Sequence, residues 1–426
     1  MSGSGVLSDS TSVDVSNGAT YKLGSAAAIA GLSGAGSVDL NGNALTINQA
    51  ASTQSSFAGV ISGSGGLVKV GSGTLSLTGV NTFTGSVQIN GGILEVGASN
   101  LLNSSLFILD GGGFRALESG ATEESDIFQL GSNGGIFEIS SGVTTELKGP
   151  IQNQAQGSPG SLTKAGDGEL QLSGLNTYTG QTLINAGSLS ISGSLSNETS
   201  VNVGGSGTYQ VGVDDQVGSI AGSGAINLES STLTLGGVNS STEFGGVISG
   251  TGGLTKLGTG AFTLSGENTY EGQTSINAGT LVVNGSLSDV TDVVVSEGST
   301  YELGADDTVG SIAGGGSIVL NTSRLTAGGA LDATFSGVMS GSGGFTKVGS
   351  GVLTFSGDNT YSGSTDVNQG ELNVLGAGPT SATCADGASS NLCQIIEPEP
   401  EPEPEPQSLE MVAEDEGDDN FGDDFE

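Results

Sequence analysis

One block of eighteen residues occurs four times, and this repetition constrains the fold more than any other feature of the sequence. The first copy reads GVNTFTGSVQINGGILEV. The copies contain equivalent asparagines that are 95, 92 and 91 residues apart: Asn81, Asn176, Asn268 and Asn359. A period of this kind indicates stacked structural units, each of which buries its apolar face against its neighbours.

Short strands are the predicted units. In the segment TLSL, Leu75 and Leu77 are apolar and Ser76 between them is polar. The equivalent segments ELQL, AFTL and VLTF keep this alternation, which is typical of a strand with one buried face. Glycines separate the strands at matching positions, where turns need them.

The spacing of the strands predicts a parallel β-helix. Leu75 and Leu94 are 19 residues apart, about the length of one coil with three sides. Coils stacked roughly 4.8 Å apart would then give about four coils per repeat, with the equivalent asparagines on one side at intervals of roughly 19 Å.

Two polar positions recur in every copy. The asparagines are predicted to satisfy turn backbone with their amides, and a ligand role is the alternative. The lysines have the same strand parity as a buried leucine, as Lys69 has with Leu67. We therefore expect a bend that lets each lysine reach solvent: Lys69, Lys164, Lys256 and Lys347.

The charge of the chain excludes several kinds of partner. Its 426 residues contain no His and only 8 Lys plus Arg, and the net charge is −37. So few basic residues cannot build a surface for nucleic acid or for anionic lipid. The sequence also has no apolar run of the length, about 18 residues, that a transmembrane helix needs.

The longest shared motif resembles a known repeat. The segment GGLTKLGTGAFTLSGENTYEGQTSINAGTLVV, residues 252–283, is similar to the passenger-associated β-strand repeat of Gram-negative autotransporters. The lysine, the Gly-x-Gly after it, the Asn-Thr-aromatic motif and the terminal Gly-x-Leu all match. The resemblance implies an all-β, right-handed parallel β-helix that is exported to the outer membrane or cell surface.

The ends of the sequence suggest a fragment of a longer passenger. Residues 4–24 are similar to residues 192–212 and 284–304, so the chain begins within a repeat and shows no export signal. After Gly378 only 48 residues remain, too few for a fused translocator barrel. An outer-membrane translocator, separate or absent from this sequence, is therefore the expected export partner.

Three regions are predicted: a β-helix over 1–378, a cysteine-containing segment over 379–396, and an acidic tail over 397–426. Cys384 and Cys393 are an isolated pair and are expected to form a local disulfide, with two free thiols as the alternative. Their loop resembles the C-terminal end of exoproteins of two-partner secretion. The tail holds 14 of the 45 acidic residues and is expected to be an extended Glu-Pro spacer followed by a disordered end.

No catalytic, cofactor or metal site is predicted. Without His the usual general base is missing. A polysaccharide-degrading enzyme would depend on two acidic pairs, Asp214 with Asp215 and Asp306 with Asp307, but repetition at matching positions favours a turn role.

We therefore predict a non-enzymatic adhesin or adhesin stalk, or a scaffold for another functional domain. Its expected partner is a glycan or protein on a host or neighbouring cell. The least regular stretch, residues 109–139, is the predicted partner surface through five residues: Arg115, Glu118, Glu123, Glu124 and Asp126.

Overall fold

The computed structural model describes residues 7–97, 106–379 and 382–393. Over these ranges the chain forms 47 β-strands and no helix. The predicted acidic tail, 397–426, lies outside the described residues. All the described residues belong to one compact unit.

Three strands make each of the first coils. Strand β1 (Ser12–Val15) pairs in parallel with β4 (Gly31–Gly34), β2 (Thr20–Lys22) with β5 (Ser37–Asp39), and β3 (Ala27–Ile29) with the next strand along the chain after β5. Each strand therefore lies beside the strand one coil earlier. The predicted parallel β-helix is confirmed.

The strands fall on three faces, named A, B and C in the order in which a coil meets them. Face A continues from β1 and β4 through β7 Gln54–Phe57, β10 Thr74–Leu77, β12 Ile93–Val96, β14 Gly113–Ala116, β17 Gly135–Ile139, β20 Leu162–Ala165, β22 Thr182–Ile191, β23 Ser200–Val211, β25 Ser219–Gly222, β28 Thr242–Phe244, β31 Ala261–Leu264, β33 Thr280–Val283, β35 Thr300–Leu303, β38 Ser317–Val319 and β41 Val338–Ser340.

Face B continues from β2 and β5 through β8 Val60–Ser62, β15 Gly120–Ala121, β18 Thr144–Leu147, β21 Glu169–Leu172, β26 Ala225–Asn227, β29 Val247–Ser249, β36 Asp307–Val309, β39 Leu325–Ala327, β42 Phe345–Lys347, β44 Thr365–Val367 and β46 Thr383–Cys384.

Face C continues from β3 through β6 Leu45–Asn48, β9 Leu67–Val70, β11 Val87–Ile89, β13 Leu106–Leu109, β16 Ile127–Leu130, β19 Ile151–Asn153, β24 Asp215–Val217, β27 Leu233–Leu235, β30 Leu254–Lys256, β32 Thr274–Ile276, β34 Asp292–Val295, β37 Ser311–Gly314, β40 Ala333–Phe335, β43 Val352–Phe355, β45 Glu371–Val374 and β47 Ser389–Ser390.

Two long strands turn a corner without ending. Strands β22 and β23 have 10 and 12 residues and run from face A onto face B. Their pairing register shifts between Ile184 and Ala186, which marks the bend. Elsewhere, glycine and polar turns separate the faces.

The alternating apolar residues form one core that runs through all the coils. Leu170, Phe262 and Leu353 are at most 2% exposed, as the strand pattern predicts. Aromatic rings from successive coils also meet inside, and the centroids of Phe107 and Phe128 are 4.8 Å apart.

The prediction that the repeats line up on one side is wrong. The equivalent strands β10, β21, β31 and β43 lie on faces A, B, A and C. The reason is the variable length of the coils: paired residues are 19 apart at Leu75 and Leu94, but 27 apart at Glu138 and Ala165. One repeat is therefore not a whole number of coils, and successive copies are rotated about the axis.

Candidate functional site

The four repeat lysines are buried, and the expectation that they reach solvent is wrong. Each is at most 2% exposed, and together they are half of the basic residues of the chain. No bend exposes them: Lys69 points inward from β9, as its parity with Leu67 requires.

Three backbone carbonyls surround each buried ammonium group. Lys69 Nζ donates to the carbonyl oxygens of Val70 and Gly71 at 2.9 Å and of Gly91 at 3.1 Å. Gly91 belongs to the next coil, so one side chain joins two coils. The other three lysines repeat this arrangement.

Positive φ angles at two glycines turn these carbonyls toward the lysine. Gly71 has φ 72° and Gly92, after the acceptor Gly91, has φ 64°. A side chain at Gly92 would also place its Cβ 2.2 Å from the carbonyl oxygen of Gly73. The glycines near each lysine therefore form part of the lysine site.

Burial lowers the pKa of Lys69 and Lys164 to about 8, although the nearby Asp167 opposes this at Lys164. Burial also lowers the pKa of Lys256 and Lys347. Three carbonyl acceptors match the three donors of an ammonium group, which favours the charged form. We therefore assign these lysines to the joining of coils.

Each repeat asparagine replaces part of a strand ladder. The Oδ1 atom of Asn81 accepts a hydrogen bond at 2.9 Å from the backbone N–H of Ile61, one coil earlier. The next residue, Thr82, donates its own N–H to the carbonyl of Ile61 at 2.8 Å. The other three asparagines accept from the previous coil in the same way: Asn176 from Ile151, Asn268 from Ile248 and Asn359 from Met339.

A buried pair of hydroxyl groups follows the asparagine in three of the four copies. The hydroxyl oxygens of Tyr178 and Thr182 are 2.5 Å apart, and Tyr270–Thr274 and Tyr361–Thr365 repeat the pair. The first copy has Phe83 and Val87, both fully buried. The two hydroxyls are thus present together in three copies and absent together in the first. This covariation is visible in the sequence, but the pair was not predicted from it.

The acidic pairs divide between core and surface. Asp215 is buried and accepts hydrogen bonds from the Leu195 N–H at 3.1 Å and the Tyr209 hydroxyl at 2.9 Å. Burial raises the pKa of Asp215, and these hydrogen bonds oppose the rise. Asp214 is exposed and accepts from the Thr232 N–H.

Asp307 and Asp306 repeat this division with Leu287, Tyr301 and Arg324 as donors. Each pair therefore has one carboxylate inside the solenoid and one outside, both bonded to backbone. This is the turn role that the sequence favours.

The residues of the predicted partner surface do not form one site. Arg115 pairs with Glu95 at 2.9 Å and Glu138 at 2.8 Å, on the coils before and after it. Asp126 is buried and accepts from the backbone N–H of Glu123 at 3.0 Å. The three residues that remain exposed are Glu118, Glu123 and Glu124.

Cys384 and Cys393 form a disulfide, with their Cα atoms 5.9 Å apart. Strand β46 contains Cys384 and pairs with β44, and β47 pairs with β45. The cysteine segment therefore adds one more coil to the solenoid. Cys384 and Leu392 are partly buried against the core.

The described residues, 7–97, 106–379 and 382–393, hold neither a candidate metal cluster nor a candidate membrane-spanning helix. They contain no group of three or more acidic, His or Cys side chains placed to hold a metal ion. They also contain no helix long and apolar enough to cross a membrane.

The fold and the repeated lysine and asparagine sites define a class of protein, a parallel β-solenoid built from degenerate repeats of one strand-loop-strand unit. The model of the passenger-associated-transport repeat matches residues 67–96, 162–191, 254–283 and 345–374, which hold the lysines, their acceptors and the asparagines. The chain belongs to the autotransporter passenger repeat proteins.

One curated relative extends the likeness beyond the four matched segments. The chain is 32% identical over 407 residues to the adhesin BmaC autotransporter of Brucella suis biovar 1 (strain 1330). The alignment covers 86% of this chain but 11% of the relative. The chain thus spans about a tenth of the length of the curated relative it matches. No solved structure is detectably similar.

Proposed function

We propose that this chain is a non-enzymatic stretch of an exported passenger at the surface of a Gram-negative bacterium, where it serves as an adhesin or as the stalk of one. The observation that carries the proposal is the set of four passenger-associated-transport repeats in a chain that aligns over 86% of its length with a protein named an adhesin. The export partner is an outer-membrane translocator.

The use of the polar side chains supports a structural role. The repeated lysines, asparagines and buried aspartates all bond to backbone within the solenoid. A catalytic centre needs titratable groups that face a bound substrate and reach its reacting atoms. Repetition at equivalent positions therefore favours coil stacking over chemistry. A glycan or protein on a host or neighbouring cell is the proposed adhesive partner.

Surface display tests the proposal. The chain is fused between an export signal and a competent translocator in a non-adherent Gram-negative host, and a translocator without passenger is the control. We expect antibody staining at the cell surface. Increased attachment to host cells, or binding of the purified chain to a glycan array, supports an adhesin. Display without attachment supports a stalk.

Two results would contradict the proposal. The first is a failure to reach the surface under conditions in which a control passenger does so. The second is release of reducing sugar from polysaccharides by the purified chain, which supports the enzymatic alternative.

A further inference from the structure

A groove on face C lies between two loops of the stretch that separates the third repeat from the fourth. One wall is the corner at Asp289 and Val290, and the other is the loop 328–332. The floor includes Val294 and Ala313, which point outward from β34 and β37. The volume of the groove is about 580 Å³, enough for a few side chains of a partner.

Both walls present large apolar side chains to solvent. Val290 is 62% exposed, and Leu331 at 84% is the most exposed of the large apolar residues that the structure describes. Single exposed apolar residues are common on proteins. Two of them facing one concavity are a feature of binding surfaces.

Three carboxylates surround the apolar walls, and none of the lining residues is basic. Asp292 accepts from the Ser311 hydroxyl at 2.7 Å, and Asp332 accepts from the Val352 N–H at 2.8 Å. Each of these bonds uses one carboxylate oxygen and holds the side chain at the rim. Asp289 is exposed at the corner. The groove therefore has the charge sign that attracts cationic groups.

The preceding repeat builds the same two loops without these features. Segment SLSNETS (194–200) corresponds to SLSDVTD (286–292), so Glu198 stands where Val290 does. Segment GGVNSST (236–242) corresponds to GGALDAT (328–334), so Asn239 stands where Leu331 does. The exposed apolar pair is therefore specific to the later copy.

The preceding repeat also fills the concavity. A Cβ added at Gly218 would lie 2.8 Å from Val238 Cγ1, so this valine covers the floor there. Ala330 replaces Val238 in the later copy, and no side-chain atom of Ala330 is among the nearest neighbours of the equivalent Gly310. The smaller side chain leaves the space open.

The same concavity occurs in the first coils, at the equivalent corner and loop. A groove of about 480 Å³ lies at the equivalent corner and loop, but its walls carry hydroxyl groups from Ser10, Ser12 and Thr53. The equivalent concavity thus has a polar lining in the first coils, is filled by a side chain in the next copy, and has an apolar and acidic lining in the later copy. Variation of a lining on a constant scaffold is how repeat proteins vary what they bind.

We propose that the groove between Asp289–Val290 and Gly328–Asp332 binds an extended polypeptide segment of a partner, in which a large apolar side chain is flanked by Lys or Arg. The apolar side chain packs between Val290 and Leu331, and the basic groups face the three carboxylates. Nucleic acid and anionic lipid are repelled by these carboxylates. No aromatic ring lines the groove on which a sugar could stack.

Fluorescence anisotropy with the full chain tests this proposal, which goes beyond the proposed surface role and does not depend on it. The probe is a short labelled Gly-Ser peptide with a central Leu between Lys residues. Two matched probes carry Glu in place of Lys, or Ser in place of Leu. We expect the Leu-Lys probe to bind about tenfold more tightly than either, with an affinity that falls as salt is added.

Variants of the lining locate the binding. Val290→Gln with Leu331→Asn removes the apolar walls, and Ala330→Val, which restores the residue of the preceding copy, fills the groove. None of these substitutions changes the charge. Each should weaken binding about tenfold with an unchanged thermal midpoint. Asp289→Asn with Asp292→Ser removes two charges, and Glu123→Gln with Glu124→Gln removes two charges elsewhere as the control.

The proposal predicts weaker binding for the groove variants alone. Equal weakening by the Glu123 and Glu124 control would show general attraction to an acidic chain and would overturn it. So would unchanged binding by the Val290 and Leu331 variant, or no binding of the Leu-Lys probe at about 1 mM, the weakest affinity of interest.

Discussion

The ammonium nitrogen of Lys164 lies 3.0 Å from the carbonyl oxygen of Ala186, which belongs to the next coil. The same nitrogen donates to Ala165 at 3.1 Å and to Gly166 at 2.7 Å. This contact spans the boundary between two stacked coils, and it recurs with the lysine of every repeat. Substitution of a buried lysine therefore tests how neighbouring coils are held together.

Replacement of Lys164 by Met should destabilise the solenoid by about 2–4 kcal/mol, since up to three buried carbonyls lose their donor. Urea unfolding measures the loss, and hydrogen exchange should be faster near residues 164–188. Lys148→Met is the matched control, because Lys148 is exposed, and it should change stability by less than about 0.5 kcal/mol. Equal effects of the two substitutions would refute the bridging role.

The buried lysines should lose their ammonium protons at a lower pH than lysines in the unfolded chain. With a folded pKa of about 8 for Lys69 and Lys164, against about 10.4 in the unfolded chain, the folded state holds fewer protons within this window. Their contribution to the free energy of unfolding therefore rises as the pH increases from 8 to about 10.4. NMR titration of the Cε resonances measures the pKa directly. A value above 10 at both lysines would contradict the effect of burial.

Loss of the Asn268 side chain should break one hydrogen bond between neighbouring coils. In Asn268→Ala the buried N–H of Ile248 loses the acceptor that now lies 3.1 Å away. We expect a loss of about 1–3 kcal/mol and faster exchange of the Ile248 amide proton. Asn277→Ala alters an exposed asparagine of the same repeat and serves as the control. Unchanged exchange at Ile248 would show that the bond is not needed.

The tyrosine–threonine pair should behave as a unit. Tyr178→Phe or Thr182→Val alone leaves one buried hydroxyl without its partner, at a cost of about 1 kcal/mol each. The double substitution reproduces Phe83 and Val87 of the first copy and should cost less than the sum, with a coupling of about 1 kcal/mol. A double-mutant cycle measures this coupling. Strict additivity would mean that the two hydroxyls do not interact.

The disulfide should stabilise only the coil that contains it. Replacement of Cys384 and Cys393 by Ser removes a constraint of about 2–3 kcal/mol on a short loop. Hydrogen exchange over residues 383–390 should become faster, while exchange in strands several coils away stays unchanged, since each coil contacts only its neighbours. Faster exchange throughout the solenoid would contradict local action.

The fold was predictable because alternation is a local property. Leu170, Phe262 and Leu353 follow a period of two that only a strand with one buried face satisfies. The burial of Lys69 was not predictable by this means. Its three acceptors are backbone carbonyls at turns with positive φ, and no side chain in the sequence marks them.

The rotation of successive repeats escaped prediction for a different reason. It depends on the exact length of every coil, and the longer coils lie in the less similar segments between the copies. The groove could be predicted from the sequence only in part. The changes to Val290 and Leu331 can be read from aligned copies, but the concavity between them requires the stacked coils.

Distances between spin labels on face A test the stacking of coils most directly. Labels at Ser76 and Asn202 are separated by six successive strand pairings, and labels at Ser76 and Thr263 by nine. At roughly 4.8 Å per coil, the expected distances are about 29 Å and about 43 Å, in the ratio of two to three. Distances that do not grow with the number of intervening coils would contradict the solenoid.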